Sequence, residues 1–325
     1  MPRNLTYGLA INEAFKQAMS EDSSVFLLGQ GVKSPWYVGN TTKDLVDLFG
    51  ETRIIDTPVS ENGVTGAALG AALAGMKPVV IHPRVDFMLL AFEEVINQAA
   101  NWHYMFGGAV SAPLTVRCIV NRGGQQGCQH SQALQAMFLH VPGLKVVMPA
   151  TPYDAKGLLM AAINDPNPVI YIDDRWLYLN DGPVPEEPYS VPLGKGVVRR
   201  QGEDATVVAL SAMLPEAEEA ARTLSREGIE IEVIDPRSLK PFDDALVMDS
   251  VRKTGRLLVA DTGWLTGGAG SEVVARVTER CFGDLKAPPV RVALPDLPAP
   301  ASGPLEKAYY PGARDIVAGV RRLLS

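Results

Sequence analysis

Cysteine is scarce in this sequence, which has only Cys118, Cys128 and Cys281 among its 325 residues. None of the three stands in a C-x-x-C pair, so neither a disulfide framework nor a cysteine-ligated metal site is predicted. Long apolar runs are also missing, because the most apolar stretch, residues 64–81, is interrupted by a lysine-proline pair and is too short to span a bilayer. We therefore expect a reduced, cytoplasmic compartment and no contact with a membrane.

An excess of positive charge and several common motifs are missing as well. The formal net charge is −7 at pH 7, and nucleic acid is not expected as a partner because phosphate binding needs a basic surface. Residues 1–15 have no long apolar core, so no signal peptide is predicted. The sequence has no G-x-G-x-x-G after its first predicted strand, no G-x-x-x-x-G-K-[ST] and no G-x-S-x-G. Dinucleotide, P-loop and serine-hydrolase chemistry are therefore not predicted.

What the sequence does contain is an alternation of short apolar runs and helical patterns, which is typical of a parallel α/β sheet. A chain of 325 residues is expected to form about two domains of roughly 150 residues each. Residues 181–194 contain four prolines and two glycines and are predicted to be a linker. The predicted fold is α/β with two doubly wound domains, residues 1–180 and a smaller domain of residues 195–325.

Local patterns predict several elements of the first domain. An amphipathic helix is expected over residues 6–20, and a single long helix over residues 86–104. The stretch Thr151-Pro152-Tyr153-Asp154 has the form of a capping box with proline at the first helical position, so a helix is expected to begin there. Buried strands are predicted at residues 25–28, 78–81, 114–119, 145–148 and 169–172.

One acidic residue, Glu61, stands just ahead of a helix made almost entirely of glycine and alanine, residues 63–75. A glycine in a helix interior costs about 1 kcal/mol relative to alanine, so several of them indicate that a cofactor or another helix approaches the backbone closely. Glu61 is either a carboxylate that takes part in chemistry or one that interacts with the helix dipole, and the residues alone give the two interpretations even weight.

A glycine-rich segment, residues 121–132, follows a predicted strand and carries His130. This path places the histidine near the carboxyl end of the sheet, where open α/β folds bind ligands, and imidazole exchanges protons near neutral pH. The alternative is a capping or packed histidine, which is the commoner role of an isolated one. His103 and His140 are interpreted as structural, while the residues leave the role of His82, directly after a strand, open.

Five longer motifs resemble those of one enzyme family: DTPVSENGVTGAALGAALAGMKPV, DFMLLAFEEVINQAANWHYMFGG, QHSQ, PGLKVVMPATPYDAKGLLMAAI and VIDPRSLKPFD. The family is the β subunit of the thiamine-diphosphate-dependent component of 2-oxo acid dehydrogenases, of the pyruvate, branched-chain and acetoin types, in the transketolase-like superfamily. The resemblance covers nearly the whole chain. It implies an N-terminal pyrimidine-binding domain, a C-terminal transketolase-like domain, and oxidative decarboxylation of a 2-oxo acid with acyl transfer to a lipoyl group.

The resemblance also implies roles for individual residues. Glu61 corresponds to the glutamate that hydrogen-bonds N1′ of the cofactor's aminopyrimidine, and His130 to the histidine that handles protons or orients the acyl acceptor. Phe87 corresponds to the aromatic residue that stacks on the pyrimidine, with core packing as the alternative. A potassium site formed largely by main-chain oxygens is implied at Leu114, Ala162, Asp165 and Asn167.

The family's motif for binding magnesium and the diphosphate is absent from this sequence. The family binds magnesium and the diphosphate through a glycine-aspartate-glycine segment, and Gly283-Asp284-Leu285 does not fit it. In split enzymes of this kind that motif lies on the α subunit, which then holds Mg²⁺. The resemblance therefore implies an α2β2 heterotetramer with β–β contact, in which this chain supplies half of each active site and has no activity alone. The second domain is expected to dock a lipoyl transacylase.

Two arginines, Arg84 and Arg122, stand where the sequence departs from the family pattern. They either face the substrate entrance, because guanidinium suits oxyanion binding, or are solvated surface residues, which general surface occurrence favours. Three other functions stay open: ketol transfer by a split transketolase, acyl transfer to a different acceptor, and a non-catalytic scaffold subunit. The sequence does not identify the 2-oxo acid, the acyl acceptor or the α partner.

Overall fold

The computed structural model describes residues 3–34 and 36–325. Residues 1 and 2 of the predicted 1–180 domain lie outside the described residues. They also belong to the N-terminal stretch in which no signal peptide is predicted. The chain divides into two compact units. The first comprises Met1–Arg122 and Met137–Leu193, and the second comprises Gly123–Ala136 and Gly194–Ser325. The segment Gly123–Ala136, which carries His130, thus groups with the second unit and not with the neighbouring strands of the first.

The first unit alternates strands and helices along its length. In chain order they are β1 (Arg3–Thr6), α1 (Tyr7–Glu21), β2 (Val25–Gly29), α2 (Leu45–Phe49), β3 (Ile54–Asp56), α3 (Glu61–Leu73), β4 (Lys77–His82), α4 (Val85–Met88), α5 (Ala100–Met105), β5 (Thr115–Val120), α6 (Gln135–Leu139, which begins in the second unit), β6 (Lys145–Val147), α7 (Pro152–Asn164), β7 (Val169–Asp174) and β8 (Asp181–Val184).

The parallel strands of this unit lie in the order β6-β7-β5-β4-β2-β3. Every residue of β2, β5 and β7 is buried, as expected for strands that helices cover on both faces. The strands predicted from apolar runs are confirmed at β2, β4, β5, β6 and β7. Helix α7 begins where the capping box predicts, because the Thr151 side chain accepts a hydrogen bond from the Asp154 amide.

The helix predicted over residues 86–104 has the expected extent but not a uniform geometry. A 3₁₀ turn, Leu89–Ala91, follows α4, and a π-helical stretch, Glu93–Ala99, leads into α5. Phe92 between them keeps right-handed helical dihedrals, so the path is continuous. Such π-helical stretches are rare and are often found at functional sites.

Residues 181–194, predicted to be a linker, begin with a strand. β8 pairs antiparallel with β1, with Arg3 opposite Val184 and Thr6 opposite Asp181. Just beyond β8, the buried Lys156 ammonium donates to the carboxylate of Glu13 on α1 at 2.7 Å. The same ammonium also donates to the three consecutive carbonyl oxygens of residues 185–187 at 2.8–3.2 Å. The beginning of this proline-rich segment is therefore fixed to the first unit.

The second unit is a smaller α/β structure. Its elements are β9 (Val197–Arg200), β10 (Ala205–Ala209), α8 (Met213–Ser225), β11 (Ile231–Asp235), β12 (Ser238–Lys240), α9 (Asp244–Thr254), β13 (Leu257–Trp264), α10 (Ala269–Cys281), β14 (Val290–Leu294), α11 (Gly303–Tyr309) and α12 (Ala313–Leu324). Its sheet has the order β14-β13-β10-β11-β9, and only the pairing of β9 with β11 is antiparallel. The predicted α/β class is confirmed for both units.

None of the helices in the described part of the chain is both long enough and apolar enough to cross a lipid bilayer.

Candidate functional site

A cleft in the first unit lies at the carboxyl ends of β2 and β4, beside the amino end of α3. This is the edge of a parallel sheet at which open α/β folds bind their ligands. The residues that line the cleft are Gly29, Gln30, Thr57, Pro58, Ser60, Glu61, Val64, Ile81, His82 and Pro83.

The floor of the cleft depends on a glycine at the end of β2. Gly29 pairs with Ile81 of β4 and has a φ of +153°, a conformation that residues with side chains rarely adopt. A Cβ atom at this position would lie 2.3 Å from the Ile81 carbonyl oxygen. Glycine therefore allows the backbones of β2 and β4 to approach closely beneath the cleft.

The carboxylate of Glu61 is positioned by the start of α3. Glu61 is the first residue of that helix, and the Ser60 side chain at the N-cap makes no capping hydrogen bond. A negative charge is favourable at this helix end because of the unpaired amides and the helix dipole. Glu61 is also half-buried and lines the cleft, so its carboxylate can accept a hydrogen bond from a bound nitrogen heterocycle. The carboxylate fits the pyrimidine side of thiamine diphosphate.

His82, whose role the sequence left open, lies in the wall of this cleft. It is 2% exposed, and its Nε2 lies 3.1 Å from the hydroxyl oxygen of Thr65, one turn after Glu61 in α3. Burial lowers the pKa of His82 to about 4, so the imidazole is neutral near pH 7. Its place directly after a predicted strand indicated that His82 could lie near a site. Nothing in the sequence indicated its contact with Thr65 in α3.

Phe87 lies on α4, which contacts α3. Its side chain is 37% exposed, whereas Val85 and Met88 on the same short helix are fully buried. The ring of Phe87 is thus partly exposed beside two buried neighbours. Stacking on a bound heterocycle and core packing both stay predictions for this residue.

His130 lies in the segment Gly123–Ala136 of the second unit and is half-buried. Two carboxylates hold this segment. Near its start, both carboxylate oxygens of Glu306 accept the Gln125 amide hydrogen at 3.0 and 3.1 Å. Near its end, Gln135 Nε2 donates to Asp261 Oδ1 at 2.6 Å. The predicted site residues are thus divided between the units, with Glu61 and Phe87 in the first and His130 in the second.

The residues implied as a potassium site all lie in the first unit. The carbonyl oxygens of Leu114 and Ala162 accept backbone amides at 3.0 and 3.3 Å, and the Asp165 carboxylate accepts a hydrogen bond from Lys145 at 2.6 Å. Asn167 Oδ1 is buried and accepts no hydrogen bond from any described residue. An oxygen of this kind fits a ligand of a hard cation. The donor set therefore agrees with the potassium prediction without testing it.

Arg122 is not the solvated arginine that surface occurrence favours. Its side chain is 4% exposed, its Nε lies 3.1 Å from Asp174 Oδ2, and its guanidinium lies 4.9 Å from the centre of the Trp176 ring. Arg84 is half-buried, and burial together with the neighbouring Arg175 cation lowers its pKa. The solvated interpretation is wrong for Arg122, and direct substrate contact stays a prediction for both arginines.

Comparison with protein families covers nearly the whole chain. Residues 3–179 match the family model described as "Transketolase, pyrimidine binding domain", and residues 194–316 match "Transketolase, C-terminal domain". The first match contains the cleft with Glu61 and Phe87. The second match begins where the second unit resumes after the proline-rich segment.

Curated relatives are similar over nearly the whole of this chain. The "Acetoin:2,6-dichlorophenolindophenol oxidoreductase subunit beta" of Cupriavidus necator is 43% identical over 100% of this chain and 98% of the relative. The protein of the same name from Bacillus subtilis is 42% identical over the same shares. The "Pyruvate dehydrogenase E1 component subunit beta" of Rhizobium meliloti is 38% identical over 96% of this chain and 69% of the relative.

A solved structure is similar in fold. It is that of a "Split gene transketolase, inactive beta4 tetramer", with a TM-score of 0.80 and 26% sequence identity, and the match covers 98% of each chain. The similarity therefore extends over the pyrimidine-binding and C-terminal regions together.

Proposed function

Because this chain belongs to the family of thiamine-diphosphate-dependent dehydrogenase E1 β subunits with transketolase-like domains, we propose that it forms an α2β2 enzyme that oxidatively decarboxylates a 2-oxo acid. A β subunit of this family has an α subunit as its partner. The observation that supports the proposal most directly is the half-buried Glu61 carboxylate, which lines a cleft at the amino end of α3.

Three residues of the first unit would hold the pyrimidine side of the cofactor. Thiamine diphosphate, when bound, supplies the electron sink that stabilises the carbanion left by decarboxylation. Glu61 would accept the hydrogen of the pyrimidine N1′ and hold that proton on its carboxylate. Phe87 would stack its exposed ring on the heterocycle. His82, neutral near pH 7, would keep α3 in register with β4 through its contact with Thr65.

We propose that the remaining half of the site comes from the α subunit. This chain has no glycine-aspartate-glycine segment for Mg²⁺ and the diphosphate, so the α chain would hold both. The β4 tetramer of the split-gene transketolase is described as inactive, and an isolated tetramer of this chain would likewise be inactive without its α partner. His130 would handle protons or orient the acyl acceptor at the assembled site.

The finer parts of the proposal have separate support. K⁺ would bind near the unsatisfied oxygen of Asn167, with carbonyl oxygens of Leu114 and Ala162. A lipoyl group on a transacylase would receive the acyl group, and the second unit would dock that transacylase. The protein would work in the cytoplasm, where its three free cysteines stay reduced.

Acetoin is a second candidate substrate. The bacterial relatives with 42–43% identity are named as acetoin oxidoreductases, whereas the pyruvate dehydrogenase β subunit of Rhizobium meliloti is 38% identical. Both substrates place a carbonyl group next to the bond that is cleaved. A substrate panel must therefore include acetoin beside the 2-oxo acids.

The proposal is tested by co-expression of this chain with its α subunit. Purified complex with thiamine diphosphate and Mg²⁺ is assayed with pyruvate, longer 2-oxo acids and acetoin, using dichlorophenolindophenol as electron acceptor. We expect turnover by the complex and none by this chain alone. Activity of the isolated chain would contradict the shared site. Transfer of a ketol group to an aldehyde, without dye reduction, would support the split-transketolase alternative, and an inactive complex would support the scaffold alternative.

A further inference from the structure

Arginines follow three adjacent parallel strands of the first unit. β4, β5 and β7 lie side by side, and Arg84, Arg122 and Arg175 come one or two residues after their respective ends. Because the carboxyl ends of parallel strands meet at one edge of the sheet, these side chains are placed at the same edge as the cleft. The three arginines differ in whether a carboxylate partner neutralises their charge. An arginine that already has such a partner is less able to bind an external anion.

Arg122 is already paired. It forms the buried ion pair with Asp174 described above, and its guanidinium packs on Trp176. A buried pair of this kind is costly to separate, so Arg122 is not free to bind an external anion. Its role is to fix the strand end from which Arg175 projects.

Arg175 has no ion pair with any residue of ranges 3–34 and 36–325. All its hydrogen bonds go to neutral oxygens: the carbonyls of Trp36 and Tyr37 at 3.2 and 3.1 Å, and Asn121 Oδ1 at 3.4 Å. These bonds orient the guanidinium without neutralising it. The side chain is only half-buried, so the charge can be reached from solvent.

Arg84 adds a second guanidinium at this edge of the sheet. Burial lowers the pKa of Arg84, and the charge of Arg175 lowers it further. Among the acidic groups at this edge, Asp86 acts on Arg84 through its charge, Asp174 is paired with Arg122, and Glu61 lines the cleft. None of these carboxylates forms an ion pair with Arg175 within residues 3–34 and 36–325.

The arginine pair is continuous with the cleft. Arg84 Nη1 donates to the carbonyl of Pro83, which lines the cleft, at 2.7 Å. On the other side, Gln30 in the cleft wall donates to the hydroxyl of Tyr37 at 2.9 Å, and the carbonyl of Tyr37 binds Arg175. Hydrogen bonds through Pro83, Gln30 and Tyr37 therefore connect both arginines to residues that line the cleft.

We propose that Arg84 and Arg175 form a subsite for a second oxyanion, at the end of the 2-oxo acid substrate distant from its reacting carbonyl. Guanidinium groups bind carboxylates through two parallel hydrogen bonds in one plane. A 2-oxo acid whose side chain is apolar cannot form these bonds. The proposal rests on the proposed function and names its substrate class: 2-oxo acids with an additional carboxylate. It places the source of specificity on Arg175, which follows Asp173-Asp174, rather than on Arg122.

The test compares two substrates of the same chain length on the α2β2 complex, 2-oxoglutarate and 2-oxopentanoate. We expect kcat/KM of the wild type to be roughly tenfold or more higher for the dicarboxylate, since a site built for a polar group discriminates against its absence. Arg84→Gln and Arg175→Gln each lower this ratio by about tenfold, mainly through KM. Arg226→Gln, an exposed arginine of the second unit, removes the same charge and leaves the ratio unchanged.

Four outcomes decide between the proposal and its competitors. A wild-type ratio near one, or a preference for 2-oxopentanoate, overturns the subsite. Equal losses for both substrates in the arginine variants also overturn it, because they indicate a structural role only. Charge selectivity that appears only with a phosphorylated aldehyde acceptor assigns the anion to the acceptor and overturns the proposal. If no substrate is turned over, the proposed function fails, and binding of unreactive glutarate against pentanoate by calorimetry then tests the subsite independently.

Discussion

The imidazole Nε2 of His82 lies 3.1 Å from the hydroxyl oxygen of Thr65, inside a wall of the cleft whose opening is lined by Glu61. This contact joins the end of β4 to the second turn of α3. The histidine that makes it is neutral near pH 7, so the stability of the first unit is expected to depend on pH.

Acid should destabilise the first unit through His82. Its pKa is lowered from 6.5 to about 4 by burial, so the unfolded chain takes up a proton between these values and the folded chain does not. Its contribution to stability is therefore complete above pH 6.5 and is lost as the pH falls towards 4. Between pH 7 and 5 the expected loss is about 2 kcal/mol. Urea unfolding of wild type and His82→Phe at both pH values measures this term, which the variant should lack.

Exposed His140 provides the control for this measurement. The variant His140→Phe should keep the full pH dependence of the wild type. An unchanged pH dependence in His82→Phe would show that the histidine is not neutral in the folded protein.

Glu61 should be needed for turnover and not for assembly. Its carboxylate lies at a helix end that is exposed to the cleft, so Glu61→Ala and Glu61→Gln remove the proton-holding group with little change in packing. We expect loss of at least about two orders of magnitude in kcat, as for other groups that hold a proton during reaction. Dye-reduction assays and size-exclusion chromatography of the α2β2 complex measure the two properties. Glu279→Gln, at an exposed position on α10, is the matched control, and near-normal turnover of Glu61→Ala would favour a scaffold role.

The buried pair of Arg117 and Asp173 should be strongly coupled to folding. Both side chains are fully buried, and the guanidinium donates to the two carboxylate oxygens at 3.0 and 2.7 Å. Asp173→Asn would leave a buried cation without its anion, which costs about 3–5 kcal/mol. The exposed pair of Arg222 and Glu219 is the comparison, and Glu219→Gln should cost less than about 1 kcal/mol. Urea midpoints of the two variants should therefore differ clearly, and similar midpoints would contradict the strong coupling.

The segment that carries His130 should become mobile when Glu306 is removed. The Glu306 carboxylate accepts the amide of Gln125, whose φ of +61° is unfavourable for a residue with a side chain. A hydrogen bond to a charged group contributes about 1.5–3 kcal/mol, so Glu306→Ala should speed amide exchange over residues 123–130 by one to two orders of magnitude. Hydrogen–deuterium exchange by mass spectrometry tests this expectation, with residues 213–225 of α8 as an internal reference. Unchanged exchange would show that Asp261 alone holds the segment.

The sequence predicted those elements whose cause is local. The capping box at Thr151 placed the start of α7 correctly, because its donors and acceptors lie within one turn. The interpretation of residues 181–194 as a linker missed β8, because the pairing of Asp181 with Thr6 joins parts of the chain that are far apart in sequence. Proline content describes the backbone of a segment and carries no information about a distant partner strand.

The same distinction applies to the candidate site. Glu61 was visible because an acidic residue before a glycine-alanine helix is unusual on its own terms. The burial of Arg122 was not visible, because its partner Asp174 comes from another strand, and surface statistics then favoured solvent. The role of Arg175 was not visible for a related reason. Arg175 is a candidate anion ligand because no carboxylate of the described residues pairs with it, and a sequence does not show which side chains pair.

The buried ammonium of Lys156 can report how often the surrounding structure opens. Amine-directed reagents modify exposed lysines at once, but Lys156 is reached only when α1, α7 and residues 185–187 separate. Its rate of reductive methylation, followed by mass spectrometry, therefore measures how often the first unit opens at this junction. No probe residue needs to be engineered, and the rate can be followed in the α2β2 complex as well as in the isolated chain.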